Sequence, residues 1–410
     1  MALAAGWWLL VPHDPTGGLR PGAGDPTAGI DDGDLDRIHL YGALVRPFEA
    51  ATLVLSTAAV LLLGLTSAGA RLTTRIAARV RLQSLRALLI AFAVVTIAWA
   101  VSLPAAAALE VVHDAAGGLS GGWPAWVARR LLQLGQWWAL TGLAVLLVRM
   151  SARLLRRSWW VVLTLVVFVL VLGGAVVFGR LTVWESRYPA LPEGQLRGDV
   201  FALAGELGVD VTDVQVAPQT ATTTQYNAYV TGLGDHHVVV LYETLLLRST
   251  PAEVWVVAAH ELGHVAAGDG SRRALLASLG AMAMTALVGA AATSSRVRRR
   301  ASTQQVRIAD APAVPMLIAL TVAAGVLVLP VFDSASRAFE LRADVTALQA
   351  TDDPRALRSV VARSAVLYLD EPDPAWPWRL LSGHPSPVER VALAEAWAAR
   401  ERCPARRPHC

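Results

Sequence analysis

The stretch TPAEVWVVAAHELGH, residues 250–264, decides how the rest of the chain is interpreted. It begins with clear helix-start signals: Thr250 is a candidate N-cap, Pro251 suits the first helical position, and Glu253 completes a capping box. The apolar residues that follow favour a helix that continues to about Gly268. The sequence therefore predicts a well-capped helix that carries a His-Glu-x-x-His motif.

The motif has the spacing of a metal site. On a helix, His260 and His264 lie on one face, one turn apart. Both imidazoles can then reach one Zn²⁺ at about 2.0–2.1 Å, and Glu261 can take a proton from a zinc-bound water. The alternative is an accidental occurrence of the motif on a surface helix. The strong capping and the apolar residues that precede the motif disfavour this alternative.

A catalytic zinc takes a third protein ligand and keeps one position open. A helix predicted over Ser334–Ala350 follows the last apolar stretch, and it carries Glu340 and Asp344 four residues apart on one face. Glu340 is the candidate third ligand, while Asp344 can hydrogen-bond the far nitrogen of a ligand histidine. Asp269, five residues after His264, is the rival third ligand at this point.

The composition points to a membrane protein. Of the 410 residues, 54% are hydrophobic and 17% are charged, whereas a typical soluble domain is about a quarter charged. This balance excludes a disordered chain, a nucleic-acid-binding tail protein and an ordinary cytosolic globular protein. All 36 basic residues are arginine, which excludes Schiff-base chemistry, a P-loop lysine and a Ser-Lys dyad. Only two cysteines occur, Cys403 and Cys410, so the chain has no disulfide framework and no cysteine-rich zinc cluster.

Six apolar stretches approach the roughly 20 residues that cross a bilayer core. They are residues 48–69, 87–109, 131–148, 159–179, 274–292 and 313–332. The run Met1–Val11 is apolar but too short to span, and we interpret it as part of a seventh span. Because the stretches contain almost no ionisable residues, they disfavour a transporter, whose spans usually keep such groups.

Arginine placement predicts the orientation of the spans. Three loops on one side of the membrane are rich in arginine: residues 70–86, 149–158 and 293–312. The positive-inside rule makes that side cytoplasmic. Residues 180–273 and 333–410 then lie on the extracytoplasmic side, where the two cysteines could form a disulfide bond.

The polar regions have their own pattern of elements. Three strand-like runs precede the metal-site helix, and the last two are joined by a hairpin connection at residues 231–235. The runs are Val211–Ala217, Tyr226–Val230 and His237–Tyr242. Further helices are predicted to begin at Asp353-Pro354 and Ser386-Pro387, with a loop over Leu369–Pro377 between them.

Four motifs in order carry a resemblance to a known family. They are Asn227-Ala228-Tyr229, His260-Glu261-x-x-His264, Ser336-Arg337-x-x-Glu340-x-x-x-Asp344 and His384-Pro385-Ser386-x-x-x-Arg390. Together they resemble the membrane zinc metallopeptidases of the type I CAAX prenyl endopeptidase family and its bacterial relatives. The motifs cover residues 180–402, and the earlier spans match by layout only.

The resemblance implies a role for each matched residue. His260, His264 and Glu340 would be the zinc ligands, Glu261 the general base, and Asp344 the group that orients a ligand histidine. Residues 227–229 would belong to an edge strand that pairs with the substrate backbone. His384 and Arg390 would face the cleft and steady the oxyanion or the substrate.

The sequence departs from the eukaryotic members in two respects. The residues after the motif, Val265-Ala266-Ala267-Gly268-Asp269, lack the longer basic and aromatic run of those members. The eukaryotic enzymes are also taken to face the cytosol, so a cytoplasmic catalytic region is the alternative to the orientation that the arginines predict.

We therefore expect a mainly α polytopic membrane protein with a zincin-like (gluzincin) part that contains a small β-sheet. Its expected parts are residues 1–47 (partial span and loop), 48–179 (four spans), 180–273 (zincin-like part), 274–332 (two spans) and 333–410 (third-ligand part). The expected function is zinc-dependent peptide-bond hydrolysis, with one Zn²⁺ per chain, a peptide or protein substrate, the cell membrane as location and no nucleic-acid partner. The alternative function is an inactive protease-like scaffold or chaperone.

Overall fold

The fold is given by a computed structural model, which describes residues 2–116, 122–155, 158–185, 188–218, 226–233 and 236–402. It is mainly helical and contains a small sheet, as the sequence predicts. The helices are α1 (Ala2–Leu10), α2 (Asp32–Leu65), α3 (Ser67–Ile76), α4 (Gln83–Ala115), α5 (Gly122–Leu155), α6 (Trp159–Glu185), α7 (Gln195–Glu206), α8 (Glu243–Arg248), α9 (Pro251–Ala266), α10 (Asp269–Thr293), α11 (Ser295–Arg300), α12 (Val314–Thr351), α13 (Pro354–Tyr368), α14 (Trp376–Leu380) and α15 (Pro387–Arg402). The strands are β1 (Val211–Ala217), β2 (Ala228–Leu233) and β3 (His236–Tyr242).

The chain divides into two compact units. The first, the polar unit, consists of Met1–Gly42, Leu172–Ala277 and Pro330–Cys410, and it contains the sheet. The second, the membrane unit, consists of Ala43–Val171 and Ser278–Leu329.

Six of the described helices are long and apolar enough to cross a membrane, which confirms the predicted number of spans. The segments are Asp32–Leu65, Gln83–Ala115, Gly122–Leu155, Trp159–Val177, Asp269–Thr293 and Ala311–Thr351. Most of them extend well beyond the apolar stretch that predicts them. Helix propagation costs little once a helix has formed, so polar flanking residues join the same helix.

One boundary was predicted wrongly. The sequence predicted a separate helix over Ser334–Ala350, but α12 runs without a break from Val314 to Thr351 and contains Pro330. A proline removes one backbone donor, which membrane helices tolerate because neighbouring groups satisfy the freed carbonyl. The third-ligand candidate is therefore carried by the continuation of a candidate membrane helix.

The sheet has the order β1-β3-β2. Strands β1 and β3 are parallel, and β2 and β3 are antiparallel with Val230 opposite Val239. The predicted hairpin between the second and third strands is therefore confirmed, while residues 234–235 of its turn lie outside the described residues. Because β2 pairs only with β3 among the described strands, it is an edge strand.

The core of the polar unit joins the sheet to four helices. Val214 and Val239 of the sheet are fully buried, as are Leu262 of α9, Leu357 of α13 and Leu393 of α15, and the same cluster includes Leu348 of α12. Residues at helical spacing on each helix supply this apolar face. The core thus fixes α9 against the C-terminal half of α12, the two helices that carry the candidate ligands.

Helix α9 begins as predicted. The backbone N–H of Thr250 donates to Oε2 of Glu253 at 2.7 Å, and the backbone N–H of Glu253 donates to the Thr250 hydroxyl at 3.3 Å. Glu253 is buried and also accepts from Ser359 and Arg363 of α13. Burial raises the pKa of Glu253, but these hydrogen bonds outweigh it and hold the pKa below its usual value. The cap is therefore part of the contact between α9 and α13.

Loss of this cap should weaken the fold measurably. We expect Thr250→Ala to cost about 1 kcal/mol, because one donor at the helix start loses its partner. In a chain of this length the corresponding fall in Tm is about 1–2 °C, measured by thermal melting in detergent. Ser295→Ala, at an exposed position on α11, is the matched control and should leave Tm unchanged.

Candidate metal centre

Three side chains from α9 and α12 converge at one point in the polar unit. Nε2 of His260 lies 3.4 Å from Oε2 of Glu340, and Nε2 of His264 lies 3.5 Å from Oε1 of the same carboxylate. One nitrogen from each histidine and one carboxylate oxygen all lie within 4.8 Å of one another. The residue spacing on α9 explains the histidine pair, whereas only the packing of α12 brings Glu340 to it.

Carboxylates hold the far nitrogen of both histidines. Nδ1 of His260 lies 2.9 Å from Oδ1 of Asp344, and Nδ1 of His264 lies 2.8 Å from Oδ2 of Asp269. An Nδ1–H that donates to a carboxylate leaves Nε2 with its lone pair free to bind a metal. Asp344 lies where the sequence places it. Asp269, the rival third ligand, instead contacts the outer nitrogen of His264.

Arg390 contacts Asp344 rather than standing free in the cleft. Its Nε donates to Oδ2 of Asp344 at 2.8 Å, and its Nη2 donates to Oδ1 at 2.6 Å. Burial alone would lower the pKa of Arg390, but Asp344 raises it above its ordinary value, so the guanidinium stays charged. The chain of contacts from Arg390 through Asp344 to His260 fixes the orientation of the imidazole.

Two arginines that the sequence analysis did not single out also border the centre. Nη2 of Arg273 donates to Oε1 of Glu340 at 2.7 Å, and Arg342 forms an ion pair with Asp269. Both guanidinium groups lie over the ring of Phe339. Their positions on α10 and α12 carry no motif, so nothing in the sequence distinguishes them from the other arginines.

The centre opens into a cavity of about 450 Å³. Glu261, His384 and Arg390 line it together with His260 and Glu340. Glu261 is half-buried, and its desolvation raises its pKa above the ordinary value.

His384 lies at the rim of this cavity. Its side chain is 75% exposed, and its Nδ1 lies 3.3 Å from Oε2 of Glu340. The imidazole is therefore close to the candidate ligands and still open to solvent.

The start of the edge strand forms one wall of the cavity. Asn227 and Ala228 line it, whereas the ring of Tyr229 packs edge-on against Tyr242 with ring centroids 6.2 Å apart. The strand alternation that turns Ala228 toward the cavity turns Tyr229 away from it. Of the predicted strand residues, Asn227 and Ala228 are brought to the centre and Tyr229 is not.

A tyrosine from α13 holds this strand at its beginning. The hydroxyl of Tyr368 accepts from the backbone N–H of Tyr226 at 3.0 Å and donates to its carbonyl at 2.7 Å. Tyr368 also lines the cavity. The sequence analysis missed this residue, because the contact spans 142 positions and follows no local motif.

The donor set fits a divalent cation. Burial lowers the pKa of His260, but hydrogen bonds to Asp344 and Glu340 outweigh it and raise the pKa to about 10. The cluster of carboxylates therefore favours a positive charge between the two histidines, which a proton or a metal ion can supply. Two imidazole nitrogens and one carboxylate are also the ligand set of many catalytic zinc sites.

The fold and the centre together define a class: polytopic helical membrane proteins that carry a His-Glu-x-x-His metal centre with a third acidic ligand. Comparison with known sequences identifies the family. The profile of peptidase family M48 matches residues 191–398, about half of the 410-residue chain. The chain belongs to peptidase family M48.

Two relatives and one solved structure show how far the similarity extends. The chain is 26% identical over 218 residues to the uncharacterized metalloprotease YhfN of Bacillus subtilis, which covers 52% of this chain and 50% of that protein. It is 26% identical over 106 residues to CAAX prenyl protease 1 of Saccharomyces cerevisiae, covering 26% of this chain and 23% of that protein. The crystal structure of S. mikatae Ste24p has the same fold, with a TM-score of 0.69 over 96% of both chains at 16% identity.

The chain spans half or less of the length of these two curated relatives. The family match and the shared fold describe a multi-pass membrane protein of family M48, with a three-strand sheet in the same unit as the candidate metal centre.

Proposed function

We propose that this chain is an integral-membrane zinc metalloendopeptidase. One observation carries the proposal: His260, His264 and Glu340 converge at one point, and His260 and Glu340 line a cavity together with Glu261, beside the edge strand β2. His260, His264 and Glu340 would hold one Zn²⁺. The ion supplies Lewis acidity, which polarises a scissile carbonyl and makes a water molecule acidic near neutral pH.

The chain's own residues supply the remaining steps. Glu261 takes the proton from the attacking water and then delivers it to the leaving amine. Desolvation raises the pKa of this half-buried carboxyl, which is the direction that helps one group to act first as a base and then as an acid. Asp344 and Asp269 hold the two imidazoles by Nδ1.

The substrate would lie along β2. Because β2 is the last strand in the order of the described sheet, an extended peptide could add beside Asn227 and Ala228 by backbone hydrogen bonds. His384, exposed at the rim and near Glu340, is placed to donate to the developing oxyanion. Arg390 acts through Asp344, to which it is bound by two hydrogen bonds.

The direct test is peptide cleavage by purified protein with its metal content measured in parallel. We expect about one zinc per chain and cleavage of an unstructured protein such as casein. A zinc chelator should abolish cleavage, and added Zn²⁺ should restore it, because the ion would supply the Lewis acidity on which the proposed reaction depends. A protein that holds zinc but cleaves no peptide would instead support the inactive scaffold.

The proposed location of the catalytic region is extracytoplasmic. We expect a membrane-impermeant maleimide, applied to intact cells with a mild reductant, to label Cys403 and Cys410. The control replaces both cysteines by serine and adds Ser295→Cys, which lies in an arginine-rich loop and should be labelled only after the cells are opened. The reverse pattern would place the catalytic region in the cytoplasm.

A further inference from the structure

A second, larger cavity lies in the polar unit, apart from the metal centre. Its volume is about 760 Å³. The walls are residues 28–34, which precede and begin α2, the end of α8 and one face of α13. Four arginines line it: Arg248, Arg355, Arg358 and Arg363.

The cavity has an excess of positive charge. Arg363 pairs with Glu253 at 3.2 Å, and Arg358 pairs loosely with Glu395 at 3.6 Å. Arg248 and Arg355 form no ion pair with any residue that the structure describes.

The acidic side chains of the wall do not cancel this excess. They are Asp31 and Asp34, and Asp34 is already 3.5 Å from Arg37, which lies outside the cavity. Asp31 forms no ion pair with any described residue and can offset one arginine, but four arginines against two aspartates leave the lining with a net positive charge.

Two arginines of α13 lie near the start of the helix, where positive charge is unfavourable. Arg355 and Arg358 lie in its first two turns, where the helix dipole favours negative groups. The first turn of α13 contains no acidic residue, and only the N-cap Asp353 offers a carboxylate there. An anion in the cavity would thus gain from both the guanidinium groups and the helix start.

We propose that this cavity binds a small molecule that carries a phosphate group. Arginine is the side chain best suited to phosphate, because its planar fork donates two parallel hydrogen bonds to two oxygens. The volume lies within the roughly 300–1,000 Å³ of small-molecule sites, which leaves room for an organic part beside the phosphate.

The test has to measure ligand binding directly rather than peptidase activity. The opposite face of α13 contributes Leu357 and Val361 to the catalytic cavity, so a substitution on this helix can change catalysis for other reasons. We therefore propose thermal melting of the detergent-purified protein in inorganic phosphate, compared with chloride at the same pH and ionic strength. This readout is independent of whether the protein cleaves peptides.

Wild-type protein should gain about 2 °C or more in Tm when phosphate is well above its Kd. The double variant Arg248→Gln/Arg355→Gln should lose this gain, since neither arginine has a partner whose loss would disturb the fold. Arg299→Gln, an exposed arginine of the membrane unit, is the matched control and should keep the full gain.

Three outcomes would overturn the proposal. One is the absence of any gain in the wild type, and another is an equal gain in the double variant, which would reveal a general salt effect. The third is stabilisation by dihexanoyl phosphatidylglycerol without stabilisation by phosphate, which would assign the cavity to a lipid. If the double variant fails to fold, the ³¹P NMR signal of phosphate is measured with wild type and with each single variant. Wild type should broaden this signal more than either single variant, and equal broadening would overturn the proposal.

Discussion

Glu261→Gln is expected to abolish peptide cleavage while the protein retains its zinc. A positioned general base contributes about 10²–10⁴-fold to the rate, and glutamine can neither take nor deliver the proton. The substitution changes one oxygen to an amide nitrogen, so the cavity keeps its shape and the three candidate ligands keep their positions. The measurement is kcat on an unstructured protein, together with zinc per chain by metal analysis.

The matched control for this experiment is Glu206→Gln, an exposed glutamate of α7 in the same unit. It should cleave at the wild-type rate. A Glu261→Gln protein that retains more than about a tenth of the wild-type rate would remove Glu261 from the role of general base. A variant that loses both zinc and activity would show that Glu261 supports the metal centre rather than the proton transfer.

The metal-site helix shows how much local sequence can predict. Thr250, Pro251 and Glu253 mark the start of α9 without any tertiary information, because capping is satisfied within one turn. The histidine pair follows from helical periodicity alone. Likewise, the number of candidate spans follows from apolar length, since a bilayer imposes a fixed thickness on each crossing.

Contacts between residues that lie far apart in the sequence were predictable only through the family resemblance, or were not predictable. The approach of Glu340 to the histidines depends on how α12 packs against α9, and its sequence position alone does not fix that packing. The boundary at Ser334 was wrong because polar residues after an apolar stretch look like a new helix start. The backbone, however, had no reason to leave the helical conformation there.

The positions of Asp269 and Tyr368 illustrate the limit most clearly. Asp269 is five residues from His264, so the sequence shows that it is near, but not whether its carboxylate meets Nε2 or Nδ1. That choice depends on the turn between α9 and α10. Tyr368 holds the edge strand from α13, and a lone tyrosine near a helix end has no local signature of such a contact.

His260→Ala is expected to lose zinc and all cleavage. The variant leaves only His264 and Glu340, and a zinc site with two protein ligands binds too weakly to survive purification. It also leaves Asp344 and Arg390 without the imidazole between them and the cavity. His236→Ala, an exposed histidine of β3, is the control and should retain both zinc and activity. Stoichiometric zinc in the His260→Ala protein would exclude His260 from the ligand set.

A graded comparison separates a ligand from a group that orients one. Asp269→Asn keeps all three candidate ligands and removes the negative charge that holds Nδ1 of His264, so zinc affinity should fall by about 10–100-fold. The substitution also takes the carboxylate partner from Arg342, but the three candidate ligands remain, so excess Zn²⁺ should restore cleavage in this variant. The same excess should fail with His260→Ala, where a ligand is missing. Equal rescue of both variants would mean that His260 and Asp269 play the same part at the metal, contrary to the contact of Asp269 with the outer nitrogen of His264.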